Sequence, residues 1–188
     1  MNLSLLSPKQ SSPLDLTGKV DLISSKPNLQ ELILNFSNIN YGEVNCKVLA
    51  TPSLSLMYGN IRLEPNIKLK TETQENSVNF PFLLQGEINS RFYSYPQKQA
   101  LTPNSHNAIH LTQTEGEHLL PLGKLETFNI NLRSDYFFDT FCSEDKITEA
   151  LKKSIDIKSS QVASSHPGQI NAEMKGIIRS ICANPFEG

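Results

Sequence analysis

His106 and His110 come nearest, by type and spacing, to a pair of side chains that could do chemistry. Four positions apart, they would share one face of a helix and could hold a metal ion between them; on a strand they again fall on one face. Ile109 and Leu111 alternate around His110 as in a strand, and His118 follows as a third imidazole. A metal centre in a double-sheet protein needs a closely spaced His-x-His and a nearby Glu converging on one ion. That pattern is absent from the sequence, so no metal site is expected. The two histidines instead join Arg91, Tyr93 and Tyr95, polar and aromatic residues on strand faces, as the candidate ligand-binding set.

Nucleophilic catalysis would need a Ser or Cys presented to a base, usually on a Gly-flanked turn. No serine sits in such a turn, and the 9 glycines are too scattered to cradle a phosphate. The carboxylate pairs Glu115 with Glu117, and Glu144 with Asp145, read as a solvated turn and a helix start. No catalytic residue and no cofactor is therefore expected. The 3 cysteines, Cys46, Cys142 and Cys182, are odd in number, far apart and in no CxxC pair, so they read as reduced thiols.

The elements that must position these residues fall into two classes. From Glu43 to Leu132 apolar residues recur at every second position, the period of a strand with one buried face. Ile61, Leu63, Ile67 and Leu69 alternate with Arg62, Glu64, Asn66, Lys68 and Lys70, with Pro65 marking an edge or a bulge. Val78, Phe80, Phe82 and Leu84 lead through Gly86 and Glu87 into Ile88, Ser90 and Phe92, which predicts a β-hairpin. Further strands are expected at Val44–Ala50, Leu54–Tyr58, Ala108–Gln113 and Phe128–Leu132. Seven or eight short strands without intervening helices imply an antiparallel sandwich of the jelly-roll, cupin-like kind.

After Arg133 the period lengthens to that of helices. Ser134 is placed to cap a short helix carrying Phe137 and Phe141 one turn apart. Ser143, followed by Glu144 and Asp145, opens a second helix with Ile147, Leu151 and Ile155 at four-residue spacing. The Ser-rich stretch Ser159–Gly168 reads as a linker, and Asn171 caps a third helix striped by Met174, Ile177, Ile178 and Ile181. Leu29, Leu32, Ile33 and Phe36 match helical spacing, although the run is short enough to be a strand in a packed sheet; the spacing leans to helix. The expected fold is α+β: a β-rich part, 1–133, and a helical part, 134–188, packed on it as a single structural domain.

Composition narrows the function. The 188 residues carry a formal net charge of -2, with 38% hydrophobic and 19% charged residues. That is enough chain to bury one core. The local excess of base at Lys68, Lys70, Lys152 and Lys153 falls far short of a nucleic-acid footprint. Nothing approaches the roughly 20 apolar residues of a membrane span, and Met1–Gln10 makes a poor signal peptide, so a cytoplasmic protein without membrane contact is expected.

The last residues add a resemblance. Met174, Ile177, Ile178 and Ile181, followed by Asn184, Pro185, Phe186 and Gly188, resemble a segment of AraC-type bacterial transcription regulators of the pyochelin-regulator group. Phe82, Leu84 and Gly86, the strand Phe128–Leu132 and the helix start Ser134–Phe137 resemble further parts in the same order, so the likeness spans roughly residues 40 to 188. It implies an effector-binding and dimerisation domain whose helix-turn-helix DNA-binding half lies beyond this chain. The partners it implies are an unidentified small-molecule effector, a second copy of the chain, and DNA only through that missing half. Met174, Lys175, Ile178, Arg179 and Ile181 are the candidate dimerisation residues. The alternatives are a non-catalytic carbohydrate- or small-molecule-binding sandwich, poorly supplied with aromatics for want of Trp, and a cupin-type metalloenzyme.

Overall fold

The computed structural model describes residues 2–6, 14–15, 20–73, 76–112, 114–141 and 145–183. In chain order the strands are β1 (Asn2–Leu6), β2 (Leu14–Asp15), β3 (Val20–Lys26), β4 (Leu29–Asn38), β5 (Gly42–Ala50), β6 (Leu54–Leu63), β7 (Ile67–Thr73) and β8 (Ser77–Gln85). They continue as β9 (Ile88–Phe92), β10 (Gln99–Leu101), β11 (Ser105–His106), β12 (Ile109–Leu111), β13 (Thr114–Leu120) and β14 (Gly123–Arg133). Helix α1 (Ser134–Thr140) and helix α2 (Lys146–Asp156) follow, then β15 (Gln161–Val162), β16 (Gly168–Gln169) and helix α3 (Ala172–Ala183). The fold is α+β, antiparallel sheets followed by three helices.

The strands form a 6-stranded sheet in the order β10-β9-β13-β7-β1-β2 and a 10-stranded sheet running β15-β12-β8-β14-β6-β5-β4-β3, with β11 and β16 attached beside β8. Their inner faces share one core. Leu34, Val44, Leu63, Leu83 and Leu125 of the larger sheet pack with Ile67, Leu101 and Leu120 of the smaller, all buried. Each such side chain contributes about 1.5–3 kcal/mol by leaving water, so this cluster is what clamps sheet to sheet.

The chain reaches both sheets by changing sheet at its turns. Alternation continues from Ile61 to Leu69, but β6 belongs to the larger sheet and β7 to the smaller, and Pro65 lies in the crossing between them. The expected hairpin at Val78–Phe92 is corrected in the same way. β8 pairs with β14, β12 and β11, whereas β9 pairs with β13 and β10. Gly86, at φ +92, makes this crossing: an added Cβ would lie 2.7 Å from the Lys124 carbonyl oxygen. Gly42 ends the β4–β5 turn under stronger constraint, because a Cβ there would stand 2.0 Å from the Arg62 carbonyl oxygen.

Two other expectations are overturned. Leu29–Asn38 is a strand, not a helix, paired with β3 over Leu29–Leu34 and with β5 over Gln30–Asn38. Its run Leu32–Leu34 puts the half-buried Ile33 on the outer face between the inward Leu32 and Leu34, which blurs the period-2 signal. Thr114–Leu120, where Glu115 and Glu117 suggested a turn, is a strand in the middle of the smaller sheet.

Helices α1 and α2 cover the outer face of the larger sheet at β8, β12 and β14. Phe137 of α1 and Leu151 of α2 bury themselves against Val78 and Leu132. The cap of α1 is Arg133, and Ser134 is the first helical residue, buried and without a hydrogen-bond partner for its hydroxyl among the described residues. Asp145 caps α2 by accepting from the backbone N–H groups of Ile147 and Thr148, both at 2.9 Å; Cys142, Ser143 and Glu144 lie outside the described residues. The stretch Ser159–Gly168 is no free linker, since Val162 of β15 is buried beside Ile109 of β12. Asn171 caps α3 as expected, its side-chain oxygen accepting from the Met174 N–H at 2.8 Å. Among the described residues no helix is long and apolar enough to cross a membrane.

Candidate ligand cleft between the sheets

Strand register divides the space between the sheets into zones. At one end lies the large apolar cluster of Ile67, Leu120, Leu63 and Leu125. At the other, Phe92, Ile109, Leu111 and Val162 form a second apolar cluster. Between them the inward positions change character. Cys46 pairs with Gly59 and Gly59 with Thr127; one step further Val48 pairs with Met57, Met57 with Asn129 and Asn129 with Pro81. Opposite, on the smaller sheet, Leu69 pairs with His118 and His118 with Ser90, while Thr71 pairs with Gly116 and Gly116 with Phe92. Of these, Gly59, Thr127, Asn129, Thr71, Gly116, Ser90 and His118 are small or neutral and polar, while Cys46 and Leu69 pack against the first cluster and Val48, Met57 and Phe92 add apolar surface; Cys46, Val48, Met57, Asn129, Thr71, Ser90 and His118 stay half-buried although they face the opposite sheet.

His118 is the centre of this zone. Its Nε2 lies 3.0 Å from Thr71 Oγ1 and its Nδ1 lies 2.8 Å from Ser90 Oγ. The Phe92 ring meets it edge-on at 5.5 Å between centroids. Burial pushes the imidazole down to about 4, so the ring is neutral at physiological pH. A neutral imidazole has one N–H and one bare nitrogen, so one hydroxyl accepts from the ring and keeps its own O–H free, while the other donates and keeps free lone pairs. Across the space burial pushes the Cys46 thiol up to about 11, leaving it protonated and unreactive.

Among the described residues of β7, β9 and β13, charge is kept off this face. Lys68, Lys70, Glu117 and Arg91 occupy the alternate positions of β7, β13 and β9 and point outward; Lys68 Nζ lies 2.8 Å and Lys70 Nζ 3.9 Å from the Glu117 carboxylate. The Lys68 hydrogen bond, chief among several contacts, holds that carboxyl below its usual range.

The residues expected from sequence to bind a ligand are distributed elsewhere. Arg91 and Tyr93 come together on the outer face, the guanidinium carbon 5.9 Å from the ring centroid. Tyr95 packs on the Phe92 cluster and its hydroxyl donates to Gln97 Oε1. His106 and His110 stand on the helix side of the larger sheet, opposite Phe82 and Val78 of β8. His106 stacks on Phe82 at 5.5 Å and lies flat against Gly168, whose added Cβ would be 2.7 Å from its Nε2. His110 is fully buried beneath α2 and touches Ser154 and the Ser159 carbonyl. Burial lowers the pKa of both. Sequence reasoning noted His118 but left it out of the set; the signal was its parity with Leu120 in a period-2 run.

Of the candidate dimerisation residues, Ile178 is buried within its own domain, Met174, Lys175 and Ile181 are half-buried, and Arg179 is exposed. Ile177, beside them, is 55% exposed. Asn184, Pro185, Phe186 and Gly188 lie outside the described residues.

One strand links the cleft with α3. Thr127 of β14 faces inward, whereas its neighbours Glu126 and Phe128 face the helix side. Glu126 accepts from the Tyr58 hydroxyl at 2.9 Å, and its charge adds to the burial that raises the pKa of Cys182 on α3.

His118 has hydroxyls, a glycine and a phenyl ring around it, and among the described residues no three His, Cys, Asp or Glu gather where one ion could reach them. That donor set does not fit a metal ion.

No protein-family model and no curated protein sequence matches the chain. Solved structures similar to it include the Escherichia coli protein Ylba, with a TM-score of 0.40 and 13% identity over 60% of this chain and 48% of that one. The AraC-like transcriptional activator CuxR matches with a TM-score of 0.39 and 7% identity over 67% of this chain and 51% of that one. The cupin domain of Schizosaccharomyces pombe Cnp3 matches with a TM-score of 0.36 and 13% identity, over 71% of this chain and 86% of that domain. The region shared with Ylba or CuxR is thus about half the length of those chains.

Proposed function

We propose that this chain is a non-catalytic small-molecule sensor, the effector-binding and dimerisation domain of an AraC-type bacterial transcription regulator whose DNA-reading half is a separate domain. The observation that carries the sensing part is the neutral, half-exposed zone around His118, set between two apolar clusters. Beside the apolar Val48, Met57 and Leu69, the glycines Gly59 and Gly116 and the hydroxyls paired on His118 leave a place for a ligand to complete.

The regulator part rests on the sequence resemblance, and the layout suits it. β14 presents Thr127 to the cleft and Glu126 and Phe128 to the helix side, so a ligand pressing on one face biases the helix on the other. Coupling of this kind needs only a difference in ligand affinity between two helix positions, typically worth about 1–3 kcal/mol. Ile177, exposed next to buried Ile178, offers the outer surface for pairing.

Sedimentation of the purified chain tests the pairing: a dimer at micromolar concentration is expected, and a monomer at all accessible concentrations removes the dimerisation role. Native mass spectrometry of the same sample, released under denaturing conditions, tests for a co-purifying small molecule in the sandwich.

A further inference from the structure

We propose that the cleft selects a small uncharged molecule bearing hydroxyl groups, seated on the Thr71–His118–Ser90 trio, and rejects anions of the same shape. This rests on the reading of the cleft as a ligand site.

The trio is a reader that adapts its polarity. His118 lies within hydrogen-bond distance of both hydroxyls, 3.0 Å from Thr71 and 2.8 Å from Ser90. If Nδ1 carries the proton, Ser90 accepts from the ring and is free to donate, and Thr71 donates to the ring and is free to accept. Moving the proton to Nε2 exchanges the two roles without moving a heavy atom. A ligand hydroxyl is both donor and acceptor, so it can meet either state; a carboxylate only accepts and can use just one end.

The surroundings decide against charge. Asn79, Asn129, Thr127, Gly59 and Cys46 add no formal charge to the inward face, while the cations Lys68, Lys70 and Arg91 sit on the opposite side of the smaller sheet. An anion placed here would lose its hydration with no counter-charge in return, whereas a neutral hydroxyl exchanges water for Thr, Ser and Asn partners. The Phe92 edge and Met57 supply apolar surface for the carbon skeleton of such a ligand.

Isothermal titration with matched pairs tests this: glucose against glucuronate and galactose against galacturonate, which share ring and hydroxyls and differ by one carboxylate. Binding of at least one neutral member is expected, with its uronate at least about tenfold weaker. Thr71→Val and Ser90→Ala should each weaken the neutral sugar about five- to tenfold, and Thr71→Ser should retain it. A uronate binding as tightly as its sugar, and weakened by Thr71→Val, overturns the neutral class while leaving the cleft in place. Sugar binding that ignores both hydroxyl deletions, or no binding by any of the four at millimolar concentration with the chain folded by circular dichroism, overturns the proposal; the first of these also moves the ligand site elsewhere.

Discussion

His110 and Ser154 lie with Nδ1 3.0 Å from Oγ in a fully buried contact between β12 and α2. The serine hydroxyl donates to the Leu151 carbonyl at 2.7 Å, and the Ser159 carbonyl stands 3.1 Å from the same imidazole nitrogen. A carbonyl only accepts, so Nδ1 must carry the proton and Nε2 must be bare. Nε2 has no partner among the described residues. Nitrogen NMR on imidazole-labelled protein is therefore expected to find His110 locked as the Nδ1–H tautomer, while His118 is free to populate both forms. A His110 spectrum showing Nε2–H would contradict the geometry.

The histidines also set a pH limit. Burial lowers the pKa of His110 and His106 below the ordinary value of 6.5 and takes His118 to about 4. The unfolded chain then binds more protons than the folded one once pH drops below about 6.5, so stability falls with falling pH. It is fully present above pH 6.5 and declines toward pH 4; for His118 alone the loss is about 3 kcal/mol. Denaturant titrations at pH 7.5 and 4.5 are expected to differ in midpoint, and His118→Gln should flatten the dependence. Equal midpoints in the parent chain would show that His118 titrates normally.

On α3, Ile177 and Ile178 are adjacent but face different ways, 55% and 4% exposed. Ile178→Glu buries a carboxylate against its own domain and should cost about 3 kcal/mol or more, seen as a lowered melting temperature. It says nothing clean about pairing. Ile177→Glu leaves the fold intact and adds a charge to the outer surface, so it is expected to convert the dimer into a folded monomer. A folded Ile177→Glu variant of unchanged dimer mass would place the interface elsewhere.

Much of this arrangement was legible from residue order, and the failures share a cause. Alternation assigns faces to a strand but not partners, so Val78–Phe92 looked like one hairpin although Gly86 sends β9 to the other sheet. The period also fails where the outward position is apolar too, as Ile33 is between Leu32 and Leu34 in β4. Around His118 the obstacle was Gly116, which interrupts the apolar series just where close approach of Thr71 and Phe92 requires a missing side chain. His106 and His110, spaced like ligands, fell on the helix side of the larger sheet because the parity of β11 and β12 follows Val78 and Phe82.

Two glycine-to-alanine changes should have opposite signs. At Gly116 an added Cβ would stand 2.9 Å from Thr71 Oγ1, 3.1 Å from Phe92 Cδ1 and 3.2 Å from His118 Nε2. Thr71 is β-branched on a central strand, so it relieves the contact only by leaving its rotamer, which takes the hydroxyl away from His118. Nε2 then lacks its partner, and Gly116→Ala should cost about 1–3 kcal/mol. Gly176 lies within α3 with nothing within 4 Å of an added Cβ, so Gly176→Ala should stabilise by about 0.5–1 kcal/mol through helix propensity. Combining Gly116→Ala with Thr71→Val separates the mechanisms: if the alanine acts by displacing the Thr71 hydroxyl, the double variant is clearly less destabilised than the sum of the singles. Strict additivity in chemical denaturation would mean that the strain falls on Phe92 or the backbone, and that the His118–Thr71 bond survives it.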